Sequence, residues 1–176
     1  MKHYSHLILA CLVMLLSACS SITKDIKVDA EVAPETVISK YKSYDWLGSL
    51  EALNDPNNDW QPTDIDISGD IKYLIDHELR SRGLFKTTGT PELAVSFFIG
   101  VDMENTELKM DEETKKQFNQ KVPKAGLVVA LIDVNSGKVV WFGAATGDVQ
   151  NNPSSEIVRE RLRYSIKEMF KLMPSK

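Results

Sequence analysis

Residues 93–103 alternate without a break: Leu93, Val95, Phe97, Ile99, Val101 and Met103 take every second position, with Ala94, Ser96, Phe98, Gly100 and Asp102 between them. A period of two sends successive side chains to opposite faces of a strand, so the run predicts a long central strand with one strongly apolar face. Something must cover that face, and two segments carry the right stripe. Ile67, Ile71, Leu74, Ile75 and Leu79 recur at helical spacing, which predicts a helix capped by Asp66 or Ser68 and stopped by Gly83, after Arg80 and Arg82. A second helix is predicted over 155–173, with Val158, Leu162, Ile166, Met169 and Phe170 inward, Pro153 near its start and Pro174 after it.

The remaining apolar runs read as strands. Ile26, Val28, Ala30 and Val32 alternate, and in 42–47 Tyr44 and Trp46 share a face opposite Ser43 and Asp45. Residues 127–134 and 138–145 flank Asn135-Ser136-Gly137, where glycine supplies the positive φ of a tight hairpin. Asn54 to Asp59 is dense in turn formers, and 104–124 loses all periodicity while gaining charge, which reads as a loop with room for one helical turn. The order β, β, α, at least three strands, α predicts an α+β fold: a mostly antiparallel sheet of about five strands, with two amphipathic helices packed on one face.

The amino terminus has the layout of an export signal. Lys2 gives a short positive region, the apolar run Leu7 to Leu16 follows, and Leu16-Ser17-Ala18-Cys19 ends it. Ten mostly apolar residues fall well short of the roughly 20 that a membrane-spanning helix needs. Leu16-Ser17-Ala18-Cys19 closely resembles the bacterial lipobox, in which Leu16, Ser17 and Ala18 are the signal-peptidase recognition residues and Cys19 carries diacylglycerol on its thiol. The expectation is a cleaved signal at 1–18, a short lipidated tether at 19–25 and a single domain at 26–176. Cys11 lies in the discarded run and Cys19 is modified, so no cysteine is left in the domain to form a disulfide. Six residues from Ser20 to Asp25 extend at most about 20 Å, so the domain is expected to ride close to the lipid headgroups. By the sorting pattern of such lipoproteins, Ser20 after the cysteine implies the outer membrane, facing the periplasm.

Together with that lipobox, the strand Tyr44-Asp45-Trp46, the Gly-ended helix and the stretch Leu131-Ile132-Asp133-Val134-Asn135-Ser136-Gly137-Lys138-Val139-Val140-Trp141-Phe142-Gly143 resemble the lipoprotein family built on the domain of unknown function DUF4136. The likeness covers nearly all of the mature chain, and its most specific part is the Asp-x-x-x-Gly-Lys hairpin with the Trp that follows. It implies exported, lipid-anchored α+β proteins with no reaction, catalytic residue or cofactor to carry over. Phe142 departs from the pattern, because a basic or polar residue is expected there in many relatives.

Constellations that could carry chemistry are sparse. The formal net charge is -4, which argues against nucleic acid as a partner because phosphate neutralisation needs clustered cations. Cleavage would discard His3 and His6, leaving His77 beside a helix stripe and turned toward solvent, so neither a catalytic triad nor a zinc site is expected. Asp133 to Gly137 imitates the opening of a calcium loop but lacks the later bidentate acid, and turn chemistry explains the same residues. Asp64 and Asp66 are the nameable carboxylate pair, with helix capping as their plainer role. No catalytic residue, metal ligand or cofactor is expected.

The aromatic residues are more informative. Phe97 and Phe98 must point to opposite faces, as must Trp141 and Phe142, so a sheet covered on one side shows aromatic rings on the other. Trp46, Phe98 and Phe142 are therefore the candidate partner or ligand surface. Three functions compete. The first is a lipid-anchored, non-catalytic binding or structural component of the envelope, with an envelope protein as partner. The second is a carrier or sensor of a small hydrophobic ligand, which requires an enclosed pocket. The third is a carboxylate-dependent hydrolase.

Overall fold

The computed structural model describes residues 22–47, 53–54, 66–101, 125–148, 150 and 153–174. The chain runs through β1 (Lys27–Val32), a 3-10 turn (Ile38–Lys40), β2 (Ser43–Trp46), β3 (Leu53–Asn54), α1 (Ile67–Ser81), β4 (Phe85–Lys86), β5 (Leu93–Val101), β6 (Ala125–Asp133), β7 (Val139–Thr146) and α2 (Ser155–Lys171). One seven-stranded sheet results, in the order β1-β7-β6-β5-β2-β4, with β3 also paired to β5. This is the α+β architecture expected.

The alternating run becomes the centre of the sheet. β5 pairs with β6 antiparallel over nine positions, from Leu93↔Asp133 to Val101↔Ala125. β6 and β7 form the expected hairpin, in which Gly137 adopts φ +69° and donates its amide to the Asp133 carbonyl at 2.8 Å. A bulge sits where Leu131 faces Trp141 and Ile132 faces Val139. It leaves Val140 as the extra residue, buried with Trp141 in the helix-side core.

The pairing is more mixed than the sequence suggests. β1·β7, β5·β6 and β6·β7 are antiparallel, but β2·β5, β2·β4 and β3·β5 are parallel. The cause lies in the order of elements: α1 follows β2 and carries the chain back to the starting end of the sheet, the crossover that parallel strands need. β3 and β4, of two residues each, are too short to leave a periodic trace.

Both helices lie on one face. α1 is capped by Asp66, whose carboxylate accepts the Gly69 amide at 2.9 Å, and it buries Ile71, Ile75 and Leu79. α2 is capped by Ser154 and buries Val158, Leu162, Ile166, Met169 and Phe170. These side chains form one core with Leu93, Val95, Phe97, Ile99, Leu127, Val129, Leu131 and Trp141, the inward positions of β5, β6 and β7. Arg82, just past α1, donates to the Phe170 carbonyl at 2.7 Å, tying the two helices together at one end.

Candidate functional site

Alternation sends the other half of β5, β6 and β7 to the opposite face. The register places Ala94, Ile132 and Val139 in one row, Ser96, Ala130 and Phe142 in the next, and Phe98, Val128 and Ala144 in the third. Eight of these nine positions are apolar. Ala94 and Val128 are buried yet stand outside the core cluster that holds the helix residues, while Phe98, Ala130, Ile132, Val139, Phe142 and Ala144 are half-buried. Ser96 is the exception in chemistry: it is buried, and its Oγ has no hydrogen-bond partner. A stranded hydroxyl costs about 1–3 kcal/mol of desolvation. Charged residues border the patch, with Lys27, Asp29 and Glu31 on β1 at one side and Asp45 on β2 at the other.

Of the three surface candidates, the structure brings Phe98 and Phe142 to this face and puts Trp46 on the other. Trp46 packs edge-on to Phe97, with centroids 6.0 Å apart at 88°, and Lys72 of α1 lies 6.0 Å over its ring. Its Nε1 donates to Asp76 Oδ1 at 3.1 Å, and the Tyr44 hydroxyl donates to the same oxygen at 2.7 Å. Trp46 is thus part of the seam between β2 and α1. Nothing in local spacing placed it there, because a four-residue strand can present either face to the helices. Cys19, Leu16, Ser17 and Ala18 lie outside the described residues, as do Asp64 and the segment 104–124.

The remaining chemical candidates have structural occupations. Asp66 is an exposed helix cap. Asp133 accepts the Ser136 amide on Oδ1 at 2.7 Å and the Tyr41 hydroxyl on Oδ2 at 2.9 Å, so both oxygens serve the hairpin. Those bonds, the Ser136 amide first, hold its carboxyl below the usual range, while burial and the Asp133 charge push the Tyr41 phenol up to about 12. His77 is exposed on α1. Among the described residues no helix is long and apolar enough to cross a membrane, and no cluster of three potential metal-binding side chains occurs.

A cavity of about 90 Å³ lies between the sheet and α2, walled by Ile26, Ile99, Leu127, Ala145, Val158 and Leu162. It is smaller than the roughly 150 Å³ that holds a benzene molecule. Arg161 stands at its rim and makes the densest polar cluster among the described residues. Its Nη1 donates to the Ile22 carbonyl and to Asp25 Oδ1 at 2.8 Å, and its Nη2 donates to Asp25 Oδ2 at 2.6 Å and to the Asp148 carbonyl at 3.2 Å. The Asp148 amide closes the ring on Asp25 Oδ2 at 2.8 Å.

The guanidinium hydrogen bonds, with help from the Asp148 amide, bring the Asp25 carboxyl down to about 2, although burial acts the other way. A depressed carboxyl contributes stability that is complete above its ordinary value, near 4, and disappears as pH falls through about 2. Thermal melts of the wild type and Asp25→Asn should therefore differ most at pH 5 to 7 and converge by about pH 2. A constant gap across that window would show that the pair is not linked to folding.

Comparison with known proteins agrees with the topology. Residues 28–175 match the family model described as a domain of unknown function, DUF4136. The fold is similar to that of a DUF4136 family protein from Bacteroides thetaiotaomicron, with a TM-score of 0.56 at 10% identity over 84% of this chain and 95% of that one. Weaker likenesses are to a PelC dodecamer from Paraburkholderia phytofirmans, with a TM-score of 0.48 at 13% identity over 86% and 99% of the two chains, and to a PDZ domain protein from Parabacteroides distasonis. The latter scores 0.47 at 13% identity, over 94% of this chain and 40% of that one. No protein of curated function matches. With the family model matched from the first strand to the end of the second helix, the chain belongs to the DUF4136 family.

Proposed function

We propose that the protein is a lipid-anchored component of the bacterial envelope that works by binding a protein partner through the sheet face opposite its two described helices. The observation that carries the binding role is the three-by-three patch on β5, β6 and β7, apolar at eight positions, with the unpartnered Ser96 hydroxyl inside it. Surfaces of that composition, rimmed by charge, mark interaction sites more often than solvent-facing ones. The anchor is supported by Leu16-Ser17-Ala18-Cys19 after an apolar run of export-signal length. An outer-membrane position facing the periplasm follows from Ser20 after the cysteine.

The apolar cavity beside α2, at about 90 Å³, is smaller than the roughly 300–1,000 Å³ of small-ligand pockets. A larger groove of about 720 Å³ runs past Tyr41, Asp133 and Lys138 to Phe142, and its mixture of charged and apolar groups suits a protein surface better than a small hydrophobic ligand. A photo-crosslinking amino acid placed at Phe98 or Phe142 of the full precursor in a bacterial host should give discrete adducts. The same group at Tyr73, 71% exposed on α1, should give none. The adducts should weaken in Cys19→Ala, which loses the membrane. Equal adducts from Tyr73, or none from either phenylalanine in the anchored protein, would refute the binding face.

A further inference from the structure

We infer that the Arg161 clamp fixes how the domain stands on its membrane, holding the end of the sheet where β1 begins and β7 finishes against a lipid surface. The inference rests on the lipid anchor proposed above. If Cys19 carries the lipid, the link to the domain is shorter than the sequence spacing suggests. Arg161 grips the Ile22 carbonyl and both oxygens of Asp25, and Thr23 between them is buried. Only Ser20 and Ser21 then separate the lipidated residue from the first fixed one. Three residue steps from Cys19 to Ile22 span at most about 11 Å, half the reach of an unpinned tether to Asp25.

So short a leash limits which part of the domain can approach the bilayer. β1 starts at Lys27, paired with Thr146 at the end of β7, and α2 starts at Ser155. These termini, with Lys24 and Gln150 exposed among them, lie at the anchored end. The β6–β7 hairpin, tipped by the exposed Ser136, lies at the other end of β7. The eight residues of β7 alone put about 27 Å between the two ends. The sheet therefore stands upright, and the face that carries Phe98 and Phe142 is turned sideways, along the membrane plane.

The guanidinium is suited to this task because it holds a backbone carbonyl and a carboxylate at once with a planar, fixed set of donors. Side-chain exposure of 15% for Arg161 and 22% for Asp25 keeps the pair partly shielded from competing water and salt. The tether is thus clamped by the domain instead of trailing from it.

The test uses the full lipidated protein in phosphatidylcholine vesicles containing a headgroup-nitroxide lipid. The mature chain has no cysteine other than Cys19, so a fluorophore can be attached at Gln150→Cys or at Ser136→Cys. The nitroxide should quench the label at position 150 several-fold more than the label at 136. Insertion of a ten-residue Gly-Ser spacer between Ser20 and Ser21 leaves the clamp intact and should bring the two close together. Arg161→Ala should do the same where circular dichroism shows it folded. Equal quenching in the unmodified protein, or a difference that survives the spacer, overturns the orientation. Mass spectrometry of the same sample separates the two proposals: an adduct on Cys19 with equal quenching sinks the orientation alone, and an unmodified Cys19 sinks the anchor and the orientation with it.

Discussion

Replacing Trp141 with alanine should cost about 3–5 kcal/mol, the largest loss expected from any single side chain in this domain. Trp141 is fully buried, and its ring lies 4.9 Å from that of Phe170 at 42°, joining β7 to the last turns of α2. The site is shaped for that ring: a Cβ on Gly143 would stand 2.8 Å from Trp141 Cη2 and 3.0 Å from Met169 Cβ, so only glycine leaves room two positions along the strand. Alanine at 141 opens a void that neither the stiff sheet nor the helix can close. Since a domain of this kind is stable by only about 5–15 kcal/mol, the urea midpoint should fall by a large fraction with the slope unchanged. Trp141→Phe separates packing from polarity. The Trp141 Nε1 has no hydrogen-bond partner, so phenylalanine strands no acceptor and should cost clearly less than alanine. Similar midpoints for Trp141→Ala and the wild type would contradict the packing account.

Much of this core is legible in one dimension. The alternation of 93–103, the helical stripes of α1 and α2 and the turn at Asn135-Ser136-Gly137 are periodic or local signals, and the structure realises each within a residue or two, the long strand being described as far as Val101. The core face of β5 follows from the same alternation. What the sequence withholds is pairing at a distance. The antiparallel expectation missed the parallel contacts of β2 and β3 because those depend on where α1 returns the chain. The bulge at Val140 is invisible because a period-2 run reads the same with or without one extra residue. The Arg161–Asp25 clamp joins residues 136 positions apart, and nothing in the spacing of either marks it. Of the three aromatic candidates, Phe98 and Phe142 could be assigned to one face by counting along adjoining strands. Trp46 could not, because its strand is short and its face is chosen by α1.

Asp76 does the choosing, and its removal is the second change expected to have a large effect. One oxygen of this half-buried carboxylate accepts both the Tyr44 hydroxyl, at 2.7 Å, and Trp46 Nε1, at 3.1 Å, so it sets the angle between β2 and α1. Tyr44 is 1% exposed, with no water to replace the lost acceptor. Asp76→Ala should therefore cost about 2–4 kcal/mol, from two charge-assisted bonds lost and a buried hydroxyl stranded. Asp76→Asn keeps a neutral acceptor and should lose about half as much. Alkaline pH supplies a second reading. Burial, reinforced by the Asp76 bond and charge, pushes the Tyr44 phenol well above its ordinary value of 10. A phenol raised in the folded state contributes stability that is whole below pH 10 and drains away above it, as the unfolded chain ionises and the folded one does not. In Asp76→Asn the burial remains but the neighbouring charge is gone, so Tyr44 should ionise earlier and stability should fall less steeply between pH 10 and 11.5. Urea midpoints at pH 8, 10 and 11.5 for the wild type and Asp76→Asn decide the matter: parallel alkaline slopes would mean that the carboxylate is a bystander to Tyr44, and a shallower slope in the variant would identify it as the group that locks the Tyr-x-Trp strand onto the helix.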